Sequence, residues 1–143
     1  MRLKEQSNLA APSPRRFILP KSRILRGRNN FQSLFANSKS LSTASVYLRY
    51  RIADSATPDF KIAFIAPKKI GTAVKRNRIK RLMRESYRLN QDLLNSISRV
   101  PILVHVALIG RTADIEFSNI QEEVVTLLTK MRTCVAEHPL LKT

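Results

Sequence analysis

The chain has 143 residues, 43% hydrophobic and 25% charged. That is long enough to bury roughly two thirds of the surface an unfolded chain exposes, and it excludes wholesale disorder, a collagen-like repeat and a coiled coil. Lys and Arg number 26 against 10 Asp and Glu, a net charge of +16, so the partner favoured by composition is a polyanion, with nucleic acid first among them.

Residues 1–21 read as a flexible basic arm. Pro12, Pro14 and Pro20 interrupt it, and it lacks the apolar core of a secretory signal. From Arg28 to Asn37 the residues Phe31, Leu34 and Phe35 recur at i, i+3 and i+4, which predicts a short helix. Ser45 to Ala53 alternates, with Val46, Leu48, Tyr50 and Ile52 on one side and Tyr47, Arg49 and Arg51 on the other; this predicts a strand with one apolar and one basic-aromatic face. Phe60 to Ala66 predicts a second strand, expected to pair with the first as a hairpin.

From Thr72, an expected N-cap, the period becomes helical. Ile79, Leu82, Met83, Ser86 and Leu89 share one arc, while Asn77, Lys80, Arg81, Arg84 and Arg88 share the other. Asp92 to Arg99 reads as a further turn or loop. Pro101 to Ile109 is a continuous apolar run that suits a strand buried on both faces, and it is about half as long as a membrane span. Ser118 with Gln121 reads as a capping box before the stripe Ile120, Val124, Leu127, Leu128, Met131 and Val135. The expectation is an α+β domain over residues 22–136, with helices on a small sheet, and a tail at 137–143.

The charge is concentrated: residues 1–90 hold 21 Lys and Arg against 4 acids, and residues 91–143 hold 5 against 6. In the basic helix Lys75, Arg76, Arg78, Lys80, Arg81, Arg84 and Arg88 are accompanied by one acid, Glu85. The like pairs Arg76 with Lys80, Lys80 with Arg84, and Arg84 with Arg88 each cost a few tenths of a kcal/mol, about the reverse of what a solvated helix face selects. Cations in the first turn also oppose the helix dipole. A bound polyanion explains this run better than solubility does. Lys68 and Lys69 extend it into the preceding loop.

The stretch from Lys68 through Gly71, Arg76, Asn77 and Arg78 to Arg88 resembles the Arg-Asn-Arg signature of the protein subunit of bacterial ribonuclease P. Arg23-Ile24-Leu25-Arg26 with Phe31 and Phe35 is similar to that family's opening pattern. The likeness runs from about Ser22 to Thr133, and the long arm, Pro67 before the Lys pair and Asn37-Ser38 depart from it. The resemblance implies a ribosomal protein S5 domain 2-like fold: a four-stranded sheet with a left-handed βαβ crossover through the basic helix. It implies a protein that assists a catalytic RNA in cutting the 5′ leader from precursor tRNA with Mg²⁺ held mainly by that RNA. Carried over, Arg76, Asn77, Arg78, Lys80, Arg81, Arg84 and Arg88 face the catalytic RNA or lie beside its metal-dependent site, and the charge reading adds Lys68, Lys69 and Lys75 to the same RNA-binding surface. Phe31 and Phe35, with the sheet, line the leader cleft in that family, although on a helix face they also fit a core role. From the residues themselves, Tyr47, Arg49 and Arg51 on one strand face supply the aromatic and cationic chemistry that takes single-stranded RNA, and Tyr47 fits packing under a helix equally well.

No catalytic constellation is expected in the protein itself. Its acids are dispersed, with Asp114 and Glu116 the nearest approach to a metal pair; His105 lies in an apolar strand, and Cys134 sits near a helical stripe. The single cysteine excludes a disulfide scaffold or Cys-based zinc finger and fits a cytoplasmic protein. The expected partners are the ribonuclease P RNA and precursor tRNA, with no membrane and no obligate protein partner. The competing expectation is a ribosomal or other structural RNA-binding protein of the same fold.

Overall fold

The computed structural model describes residues 18–141. A 3-10 turn (Lys21–Arg23) leads to α1 (Arg28–Ala36), then β1 (Lys39–Ser42), β2 (Val46–Asp54) and β3 (Asp59–Ile65). A second 3-10 turn (Lys68–Ile70) precedes α2 (Ala73–Asn90). The turn Gln91–Leu94 runs into the four-residue helix α3 (Asn95–Ser98), followed by β4 (Ile102–Gly110) and α4 (Phe117–Ala136). The arm expected at 1–21 lies outside the described residues up to residue 17, as does the tail at 142–143. Both flanks pack further than their composition suggested, for Leu19, Leu140 and Leu141 rest against the main core.

The four strands form one sheet in the order β1-β2-β4-β3. β1 and β4 each pair antiparallel with β2, and β4 pairs parallel with β3. The expected hairpin between Ser45–Ala53 and Phe60–Ala66 therefore does not form, because β4 lies between these strands. The reason is burial. Seven consecutive residues of β4, Val104 to Gly110, are buried, and a strand apolar on both sides with backbone groups to satisfy on both edges belongs inside a sheet. Parallel pairing of β3 and β4 needs a long crossover, which α2 supplies. β1 carried no apolar alternation in its Lys-Ser-Leu-Ser sequence; it is an edge strand recruited by β2, with Leu41 opposite Leu48.

Alternation then assigns each strand residue to a face. One face carries Val46, Leu48, Tyr50, Phe60, Ile62, Val104, Val106 and Leu108 into the main core, against α2 and α4. The α4 stripe Ile120, Val124, Leu127, Leu128, Met131 and Val135 is fully buried there. The α2 contribution differs from the expected arc: Ile79, Met83, Ser86 and Tyr87 are buried, whereas Leu89 is exposed. Tyr87, not Leu89, continues the buried line because α2 lies across β3, where Tyr87 meets the Phe64 ring at 6.0 Å. The opposite face carries Ala63, Ala107 and Ile109 into a smaller core with Leu25 and Leu34, flanked by Phe31, Tyr47 and Ile65.

Two close approaches fix α2. Gly71, at φ 144, turns the chain into Thr72, whose Oγ1 accepts from the Lys75 N–H at 3.3 Å. A Cβ on Gly110 would lie 3.0 Å from Ile79 Cγ1, so glycine lets the end of β4 approach the helix. The capping box expected at Ser118 is absent. Helix α4 begins at Phe117 with Glu116 as its N-cap and no side-chain cap bond, which places Ser118 inside the first turn. Phe117 packs against the core, and holding that ring there starts the helix earlier than the polar signal implied.

Candidate RNA interface

Amphipathicity sets the outer face of α2. With Ile79, Met83 and Tyr87 buried, Lys75, Asn77, Arg81 and Arg84 are exposed, and Arg76, Arg78, Lys80 and Arg88 are partly covered. Lys68 and Lys69 are exposed in the turn leading to Gly71. The cations read from the sequence thus run the length of α2, from the Lys68–Lys69 turn to Arg88 in its last turn, but the structure does not give them equal freedom. Arg88 Nη2 lies 2.7 Å from Glu85 Oε2, its Nε donates to the same oxygen, and the Arg84 guanidinium lies 5.9 Å from the Phe64 ring centroid. Arg78 Nη1 and Nη2 donate to the Ala113 and Ile115 carbonyls at 2.6 and 2.9 Å. The Arg76 Nε is buried without a hydrogen-bond partner among the described residues.

The second site lies on the other side of the sheet, under α1. Phe31 and Phe35 stack with centroids 6.5 Å apart. Leu34 is fully buried between sheet and helix, Phe31 is partly buried beside it, and Phe35 stays 39% exposed with the Arg49 guanidinium 5.6 Å above its ring. Phe31, Phe35, Tyr47 and Arg49 are therefore brought together. Arg51 lies further along β2, in register with His105, which in turn faces Lys61 across β3.

Three residues of this face were missed as site residues by sequence reasoning. Arg111 places its guanidinium 5.2 Å from the Tyr47 ring centroid. Its signal was a lone cation after an apolar strand, which does not say where the side chain lands. Lys61 donates to Asp59 Oδ1 at 2.7 Å. His105 is only half satisfied: Nε2 lies 3.3 Å from Asp59 Oδ1, and Nδ1 is buried without a partner among the described residues. Burial lowers the His105 pKa, with Lys61 and Arg51 adding to this, and outweighs the opposing pull of Asp59. Burial alone would raise the Asp59 carboxyl, yet the hydrogen bonds and charges of Lys61 and His105 hold it below its ordinary value.

Asp114 and Glu116 line a cavity with Lys75 and Arg78, so cations face their charge. Among the described residues no three His, Cys, Asp or Glu are grouped to hold a metal ion, and no helix is long and apolar enough to cross a membrane.

A split four-stranded sheet, a parallel crossover through a cationic helix and a basic-aromatic opposite face define a small α+β RNA-binding protein. The family model for ribonuclease P matches residues 19–132, so the chain belongs to the ribonuclease P protein family and serves as the protein subunit in tRNA processing. It is similar to the ribonuclease P protein component of Syntrophus aciditrophicus, with 32% identity over 116 residues covering 81% of this chain and 92% of the relative. Among solved structures, the Staphylococcus aureus RNase P protein matches with a TM-score of 0.62 at 20% identity, over 78% of this chain and 96% of that one. The Thermotoga maritima RNase P protein gives 0.60 at 24% identity, over 75% and 96%. These two likenesses establish the fold.

Proposed function

We propose that the chain bridges two RNAs, binding the catalytic RNA of ribonuclease P through the α2 ridge and the single-stranded 5′ leader of precursor tRNA on the α1 side of the sheet. The observation that supports this is the division of the molecule: α2 packs into one core and α1 into the other, so the two cation-bearing surfaces lie on opposite sides of one sheet. Their chemistry differs accordingly. The ridge of Lys75, Lys80, Arg81 and Arg84 offers charge to phosphates, while Phe35, Tyr47, Arg49 and Arg111 combine rings with guanidinium planes, the pairing that takes unstacked bases.

In this reading hydrolysis of the phosphodiester belongs to the RNA subunit with its Mg²⁺, and the protein supplies substrate hold and charge neutralisation. A cytoplasmic setting accords with the free, exposed thiol of Cys134.

The test is binding by the holoenzyme reconstituted with a bacterial ribonuclease P RNA. Stacking is worth about 1–3 kcal/mol per base, so Phe35→Ala and Tyr47→Ala should weaken precursor tRNA binding by roughly five- to a hundredfold and leave mature tRNA, which lacks a leader, unchanged. Equal loss for both tRNAs, or no loss for either variant, overturns the leader assignment.

A further inference from the structure

The second arginine of the Arg76-Asn77-Arg78 run does not extend the cationic ridge. Its guanidinium crosses from α2 to the segment joining β4 and α4, where one fork serves two carbonyls, those of Ala113 at 2.6 Å and Ile115 at 2.9 Å. Ala113 is buried and Ile115 partly so, and their carbonyls lie in a segment with no strand or helix to satisfy them. A planar guanidinium directs two N–H groups at two separate oxygens, a geometry an ammonium does not hold. At its other end the same segment is pinned by the Arg111 N–H to the Ser45 carbonyl at 2.8 Å. Arg111 then projects over the Tyr47 ring.

We propose that Arg78 is a positioning residue that contacts no RNA phosphate: it fixes residues 111–116 against α2 and thereby seats Arg111 on Tyr47 at the leader face. The consequence for substrate rests on the leader reading given above. Arg78 links the helix on one side of the sheet to the binding face on the other.

The experiment uses the holoenzyme with Arg78→Lys, Arg78→Gln, Arg111→Ala and the double variant Arg78→Lys/Arg111→Ala. Arg78→Gln is expected to leave the log-log salt slope for binding the RNA subunit unchanged, whereas Arg81→Ala, removing a phosphate contact, lowers it by about 0.7–0.9. Arg78→Lys keeps the charge but loses the fork, and its preference for precursor over mature tRNA should fall several-fold. The double variant should lose no more than Arg111→Ala alone, because Arg78 acts through that residue. A fall in slope for Arg78→Gln like that of Arg81→Ala, a wild-type preference in Arg78→Lys, or additive losses in the double variant would overturn the proposal. If Arg78→Gln does not fold, Arg78→Lys and the double variant still decide it. An unchanged preference in Arg111→Ala also overturns it, whereas the leader reading itself stands or falls on Phe35→Ala and Tyr47→Ala.

Discussion

His105 is an ionisable ring in a nearly closed place, 2% exposed, with Arg51 and Lys61 on the neighbouring strands and, among the described residues, Asp59 as its counter-charge. Because burial lowers its pKa from 6.5, the unfolded chain takes up a proton near that pH before the folded chain does. Stability should therefore decline as pH falls below about 6.5 and level off below the folded pKa. Asp59 adds a second loss in the same direction at lower pH: its depressed pKa contributes stability above 3.8 that disappears as pH falls through the folded value. Melting temperatures of the protein and of His105→Gln between pH 7 and 5 check the first part, the variant showing the flatter curve. At the same scale the two phenylalanines of α1 should separate. Phe31 sits in the smaller core, so Phe31→Ala should lower stability by a good part of the about 3–5 kcal/mol of a core truncation. Phe35 keeps its ring exposed, so Phe35→Ala should melt close to wild type.

Helix α2 joins two roles on opposite arcs, and substitutions on each should be separable. Met83 is fully buried, and Met83→Ala should cost about 2–5 kcal/mol and lower the melting temperature. Arg81 is exposed on the other arc, so Arg81→Ala should leave melting near wild type and reduce the salt slope of binding to the RNA subunit by about 0.7–0.9. Arg88→Ala should change the slope less, since Arg88 already shares its charge with Glu85. Titrating binding against salt for both arginine variants measures this, and equal slopes in Arg81→Ala and wild type would remove the ridge from the interface. The first turn of α2 has no acid, so its cations still oppose the helix dipole in the folded protein.

At the scale of the whole molecule, the sheet acts as a partition between two basic surfaces, and a net charge of +16 adds a long-range attraction to any nucleic acid. In the proposed reading, the RNA partner cuts what that field brings together. The RNA-free protein should accordingly leave precursor tRNA intact in Mg²⁺, with cleavage restored by adding a bacterial ribonuclease P RNA and most protein-dependent at low Mg²⁺. Gel analysis of the two reactions decides this, and correct 5′ processing by RNA-free protein would reassign the chemistry.

The sequence by itself determined what depends on local order. Alternation in Val46 to Ile52 set the two faces of β2, helical spacing set the cationic arc of α2 and the buried stripe of α4, and the Arg76-Asn77-Arg78 run carried the family. Tertiary structure alone decided what depends on which distant segments meet. Nothing in Phe60 to Ala66 says that β4, about forty residues later, will separate it from β2; that follows from the need of a doubly apolar strand for partners on both edges. Nor does the run itself distinguish Arg78, tied to carbonyls of Ala113 and Ile115, from Arg81 beside solvent. Periodicity assigns a side chain to a face, but the partner on that face comes from the packing of elements far apart in the chain, which is why Arg111 over Tyr47 and Asp59 beneath His105 emerged only with the fold.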